Sequence, residues 1–196
     1  FRRVLFRSFD LLKIDVNILQ YCPSEYRRDR DFMLQAIKLY SSSTFQYACS
    51  ELRSTCDFVL ETCREDVSCF KYASIDIKNN PEVVLAAIKI NPITLRYAAD
   101  SIRGDPETVY RAILCDLNAF QFAHEILKSD REFILRIIEL NIDLLTHASD
   151  AIRSDEDFIM QIIPSYPSAM KHISVSLRSS VQFVSKVITI DRKSTR

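Results

Sequence analysis

Glycine is nearly missing from this chain of 196 residues: it occurs once, and proline six times. Sheets, barrels and phosphate-cradling loops draw turns and positive-φ positions from glycine, so its scarcity points to an all-helical chain. Charge of one sign is not in excess either. Lysine plus arginine and aspartate plus glutamate both number 26, which leaves no net field to pull the chain onto a polyanion or an anionic membrane and counts against nucleic acid as a partner. No apolar run approaches the ~20 residues of a membrane span, and no secretory leader pattern is present. Gly-rich phosphate loops, the Gly-x-Ser-x-Gly elbow and the His-Glu-x-x-His helix are absent. Cys-x-x-Cys pairs are absent too, so no cofactor or metal is expected.

What is present is an ordinary soluble balance, 47% hydrophobic and 27% charged, ample for a packed core. The two ends stand apart from it. Phe1–Ser8 reads FRRVLFRS and Asp191–Arg196 reads DRKSTR. The DNA TTCAGACGTGTGCTCTTCCGATCT encodes the first, and its reverse complement, read one base in, begins GAT CGG AAG AGC ACA CGT and encodes the second. That DNA looks like a sequencing adapter. Residues 1–8 and 191–196 are therefore set aside, and 9–190 is read as a piece of a longer protein.

Within that piece the chain repeats itself at roughly 25 residues. Tyr21, Tyr47, Tyr72, Tyr97, Phe122, His147 and His172 share one column, followed by a small or apolar one, Cys22, Ala48, Ala73, Ala98, Ala123, Ala148 and Ile173. Two positions before the aromatic column stand Leu19, Phe45, Phe70, Leu95, Phe120, Leu145 and Met170. Five after it stand Tyr26, Leu52, Ile77, Ile102, Leu127, Ile152 and Leu177. The spacing i, i+2, i+3, i+7 predicts one buried stripe on a helix of about three turns.

A second helix per repeat is signalled by a stripe from Phe32, Phe58, Val83, Thr108, Phe133, Phe158 and Phe183, continued by Ile37, Cys63, Ile88, Ile113, Ile138, Ile163 and Ile188. Its start carries capping residues Asp29, Thr55, Asn80, Asp105, Asp130, Asp155 and Ser180. An acidic column, Asp31, Asp57, Glu82, Glu107, Glu132 and Asp157, suits the positive end of the helix dipole. Short links such as Asn91-Pro92 and Asn141-Ile142 predict antiparallel helix hairpins. A hairpin this small buries its apolar side only against neighbours. The expected fold is thus all-α, an α-solenoid of stacked hairpins, with about six full repeats over 29–178 and partial ones at both ends of 9–190.

The segments NPEVVLAAIKINPITLRYAADSIR (80–103) and DPETVYRAILCDLNAFQFAHEILK (105–128) resemble the repeat of domain-of-unknown-function family 4116 (DUF4116). Departures are His147 and His172 in the aromatic column and Thr62 in an alanine-like one. The resemblance implies tandem repeats, sometimes beside domains of other activity, and brings no catalytic residues.

One charged feature recurs in every repeat: a basic ladder of Arg27, Arg53, Lys78, Arg103, Lys128, Arg153 and Arg178. From Arg53 to Arg178 it is the candidate partner-binding surface, able to grip an acidic peptide or a phosphate backbone. The competing and stronger expectation is structural: cations at a helix end that meet terminal carbonyls and the acidic column four residues on. His147 and His172 read as ring packing, and His124 falls among Cys49, Ser74, Ala99 and Ser149. The cysteines read as small apolar fillers in a reducing compartment such as the cytoplasm, with secretion of a parent protein into a host cell left open. Cys56, at an exposed helix start, is the thiol expected to react.

Carboxylates repeat in every unit, as helix-start residues should and an active site should not. The expected function is accordingly non-catalytic: a scaffold for a protein or peptide partner. Two alternatives are a nucleic-acid-binding helical repeat and the accessory scaffold of an enzyme whose catalytic domain lies elsewhere. Apolar Phe183, Val184, Val187 and Ile188 near the end predict an exposed face prone to self-association.

Overall fold

The computed structural model describes residues 15–194, with side chains through 189. The adapter-like stretch 1–8 lies outside the described residues, as do the side chains of 191–196. All regular elements are helical, and no strand occurs among the described residues. The chain divides into two compact units, Phe1–Arg103 and Gly104–Arg196.

The same order of elements recurs within each unit. In the first, a 3-10 helix Val67–Tyr72, a single-turn helix Ile75–Lys78 and a ten-residue helix Pro81–Ile90 follow one another. In the second, Leu117–Phe122, Glu125–Lys128 and Arg131–Ile138 do the same. This corrects the expected hairpin of two helices, because the three-turn helix is two pieces with an extended break between them.

The break has a local cause and a distant one. Ala73 and Ser74 are extended, at φ −60° ψ 158° and φ −62° ψ 161°. The Ser74 hydroxyl accepts from the Ile77 N–H (3.4 Å), which starts a new helix there. The freed Ser74 N–H donates to the carbonyl of Arg53 in the preceding repeat at 2.9 Å. Cys49, Ala99, Ser149 and Ser174 donate in the same way to Arg27, Lys78, Lys128 and Arg153. An uninterrupted helix would turn those amides inward and lose the link between repeats.

The longer helices follow the sequence closely. Asp29, Asn80, Asp105, Asp130, Asp155 and Ser180 each accept a backbone N–H of the first turn. Thr55 does not cap; its hydroxyl donates instead to the Glu51 carbonyl at 2.8 Å. The links between repeats are short: a single residue at Asp66, Asn91 and Asp116, and Glu139 to Asn141 before Ile142. Asp66, Asn91, Asp116 and Asn141 are extended, and each side chain accepts the N–H two residues on, opening the next 3-10 helix.

The two stripes meet inside each unit. Phe45, Phe58, Phe70 and Leu95 are fully buried in the first unit, and Phe120, Leu145 and Phe183 in the second. Burying side chains of this size contributes roughly 1.5–3 kcal/mol each. The small column is Ala48, Ala73, Ala98, Ala123 and Ala148, all buried, where a larger side chain would push the extended break apart. Near the end, Phe183 is buried and departs from the expected apolar face, whereas Ile188 and Val181 are exposed.

Candidate partner-binding surface

Six of the seven basic-ladder residues close a single-turn helix: Arg53, Lys78, Arg103, Lys128, Arg153 and Arg178 are the last residues of Ser50–Arg53, Ile75–Lys78, Asp100–Arg103, Glu125–Lys128, Asp150–Arg153 and Val175–Arg178, whereas Arg27 lies one residue before the end of Ser24–Arg28. The carbonyls of Arg53, Lys78, Lys128 and Arg153 accept the next repeat's cap amide. The column therefore has a backbone role in both units that any residue type can fill. What distinguishes its members lies in the side chains.

Arg103, Lys128 and Arg153 pair with an acid three residues earlier in the same helix: Asp100 (2.5 Å), Glu125 (3.1 Å) and Asp150. For Lys128 and Arg153 the counter-charge among the described residues is thus not the acidic column four residues on, which the sequence suggests. A turn of helix brings i and i+3 together, whereas the next helix begins beyond a turn. Those later acids serve other partners: Glu107 pairs with Arg136 at 3.3 Å, and the Arg136 guanidinium stacks 3.6 Å from the centre of the Tyr110 ring.

Arg53 and Lys78 have no such acid. Three residues before them stand Ser50 and Ile75, and neither cation has a carboxylate partner among the described residues. Lys78 Nζ donates to the Lys71 carbonyl at 2.5 Å, at the end of a 3-10 helix. Burial, then the positive charges of Arg53 and Lys71, lower the Lys78 pKa below its ordinary value. The Arg53 Nε is buried without a hydrogen-bond partner, as is that of acid-paired Arg153. Arg178 is exposed, behind Val175.

The histidines divide three ways. His124 caps, its Nδ1 accepting the Ile126 N–H at 3.3 Å, which explains why it shares a column with Ser74 and Ser149. His172 reaches back to the preceding 3-10 helix, with Nε2 3.0 Å from Asp143 and Nδ1 2.7 Å from the Thr146 hydroxyl. Tyr47 does likewise, donating to Asn17 at 2.5 Å. His147 instead borders a cleft of about 240 Å³ with Leu117, Asn118, Asn141, Asp143 and Leu144. Burial, then the positive charge of nearby Lys128, lowers its pKa below the ordinary imidazole value. Among the described residues no three His, Cys, Asp or Glu side chains converge as a metal site would require.

All six cysteines are free thiols. Cys63 and Cys69 are buried, and burial pushes the Cys63 thiol up to about 12 and Cys69 upward as well. Cys56 is exposed, and so is Cys115, whose place in an apolar column had suggested only a filler.

The sequence profile described as Domain of unknown function (DUF4116) matches residues 9–53, 55–103 and 105–153, well over half of the chain. The chain belongs to the DUF4116 family. Each of the last two DUF4116 matches contains two ladder residues, Lys78 with Arg103 and Lys128 with Arg153. The matches begin earlier and stop sooner than the 29–178 span of the resemblance. No curated protein and no solved structure matches the chain. No helix among the described residues is long and apolar enough to cross a membrane.

Proposed function

We propose that this DUF4116 chain is a non-catalytic scaffold, an α-solenoid with a period of about 25 residues, that binds a protein or peptide partner. The observation that supports the reading is the recurring bond within each unit from a break residue to the preceding ladder carbonyl, as from Ser74 to Arg53 and from Ser149 to Lys128 (2.9 Å each). Repeats linked in this way present one side-chain column again and again, as solenoids that bind extended partners do. The ladder from Arg53 to Arg178 is the candidate column. Zero net charge favours a protein partner over a phosphate backbone.

Affinity capture from lysate with the whole chain, with and without nuclease, tests this. One protein retained in both conditions, and lost on charge reversal of the ladder, is the expected result. Nuclease-sensitive retention of RNA, or no specific partner, contradicts it.

A further inference from the structure

The ladder is not uniform, and the difference is chemical. At Arg103, Lys128 and Arg153 an acid one turn earlier neutralises the cation. At Arg53 and Lys78 that position holds Ser50 and Ile75, and Ile75 is 62% exposed. Two half-buried cations, joined by Lys71, therefore share one side of the first unit without a counter-ion among the described residues. Partly desolvated charge of this kind is unfavourable until an opposite charge arrives.

We propose that Arg53 and Lys78, with Lys71, form a binding site for the side-chain carboxylates of an acidic peptide, a proposal that rests on the scaffold reading above. Both cations keep donors for such a ligand. The ammonium of Lys78 spends one N–H on the Lys71 carbonyl, and the Arg53 guanidinium has no acceptor among the described residues. A carboxylate on an arginine or lysine forms charge-assisted hydrogen bonds, stronger than neutral ones. The lowered pKa of Lys78, caused by burial and then by Arg53 and Lys71, agrees with cations that lack an anion.

The neighbourhood favours separate carboxylates over a continuous phosphate chain. Exposed Glu51 and Asp76 each stand two residues before a ladder cation. A polyphosphate backbone running past would meet negative charge at each step, whereas a peptide can place single acids on the cations and neutral residues between them.

The later ladder supplies the test. Ser50→Asp with Ile75→Asp installs the acid that Asp100, Glu125 and Asp150 provide, at exposed positions where folding is retained and circular dichroism verifies it. The probe is fluorescein-labelled acetyl-tetraglutamate amide, followed by anisotropy at low salt on the whole chain. Saturable binding is expected, weakened about tenfold or more by Ser50→Asp/Ile75→Asp and by Arg53→Gln/Lys78→Gln, the scale of one lost charge-assisted contact. Lys128→Gln/Arg153→Gln should change it less than about twofold, because those cations already have partners.

Absence of binding by the folded chain, or equal binding by all the variants, overturns the proposal. So does tighter binding of a single-stranded RNA of equal charge with the same dependence on Arg53 and Lys78. A protein captured from lysate equally well by wild type and by Arg53→Gln/Lys78→Gln removes this site and leaves the scaffold reading standing. Loss of any specific capture removes the scaffold reading itself.

Discussion

Lys78 and Lys128 occupy the same column, end the same kind of single-turn helix, and lend their carbonyls to the same inter-repeat bond. Their side chains nonetheless live differently. Lys128 is held by Glu125 at 3.1 Å, while among the described residues Lys78 faces Arg53 and Lys71 with a carbonyl alone to bond. The backbone explains why the position recurs. The residue three places earlier, glutamate in one case and isoleucine in the other, decides whether its charge is left for a partner.

The largest expected effect shows what the two stretches share. Phe70→Ala and Phe120→Ala each empty a fully buried site beside the extended break and should destabilise by about 3–5 kcal/mol. Urea denaturation checks this, and a cost below about 1 kcal/mol at either site would mean that the stretches are not built alike. Next in size comes capping. Asp155 accepts the Phe158 N–H at 3.1 Å, whereas Thr55 makes no cap bond. Asp155→Ala should therefore cost about 1 kcal/mol and Thr55→Ala a few tenths. The Asp155 carboxyl is held below the ordinary carboxylate range by the Phe158 N–H and by Arg131. Its contribution is present above the ordinary carboxylate pKa and lost as pH falls through the lowered one, so the gap between these two variants should close in acid.

Ion pairs give the smallest energies and the sharpest contrast. Glu125→Gln should destabilise by about 0.2–1 kcal/mol, and Ile75→Asp should stabilise by a similar amount, as exposed one-turn pairs do. Both changes should shrink in high salt. Opposite signs at equivalent positions would confirm that the acid one turn earlier sets the state of the ladder, and equal signs would break the comparison.

Much of this was legible in the chain. The columns of Phe45, Phe70 and Phe120, of Ala73 and Ala123, and of Asp105 and Asp130 mark buried and capping positions through period and residue type alone. The division of the first helix was not legible, because i, i+2, i+3, i+7 spacing suits one helix as well as two short ones. What divides it is the Ser74 N–H leaving for Arg53, a bond across 21 residues that no local pattern records. The same blindness hid the role of His124, whose imidazole does the capping that serine does elsewhere. The acids three residues before Arg103, Lys128 and Arg153 and those four residues after them look alike in the sequence, and only the fold shows that the earlier ones pair. His147 and His172 share a column, yet one borders a cleft and the other bonds Asp143 and Thr146. The residue 29 places earlier, Asn118 beside the same cleft for His147 and Asp143 bonded to His172, differs between them, and that difference needs the fold.

The most direct test of uncompensated charge on the early ladder is an NMR titration of the Lys78 ammonium in wild type and in Ile75→Asp. Its folded pKa is lowered, so the unfolded chain binds the extra proton between the lowered value and the ordinary one near 10.4, and stability rises with pH across that window. The account predicts a wild-type pKa below the ordinary lysine value and a clear rise once aspartate stands at position 75. A wild-type value at or above the ordinary one, unmoved by the substitution, would contradict it.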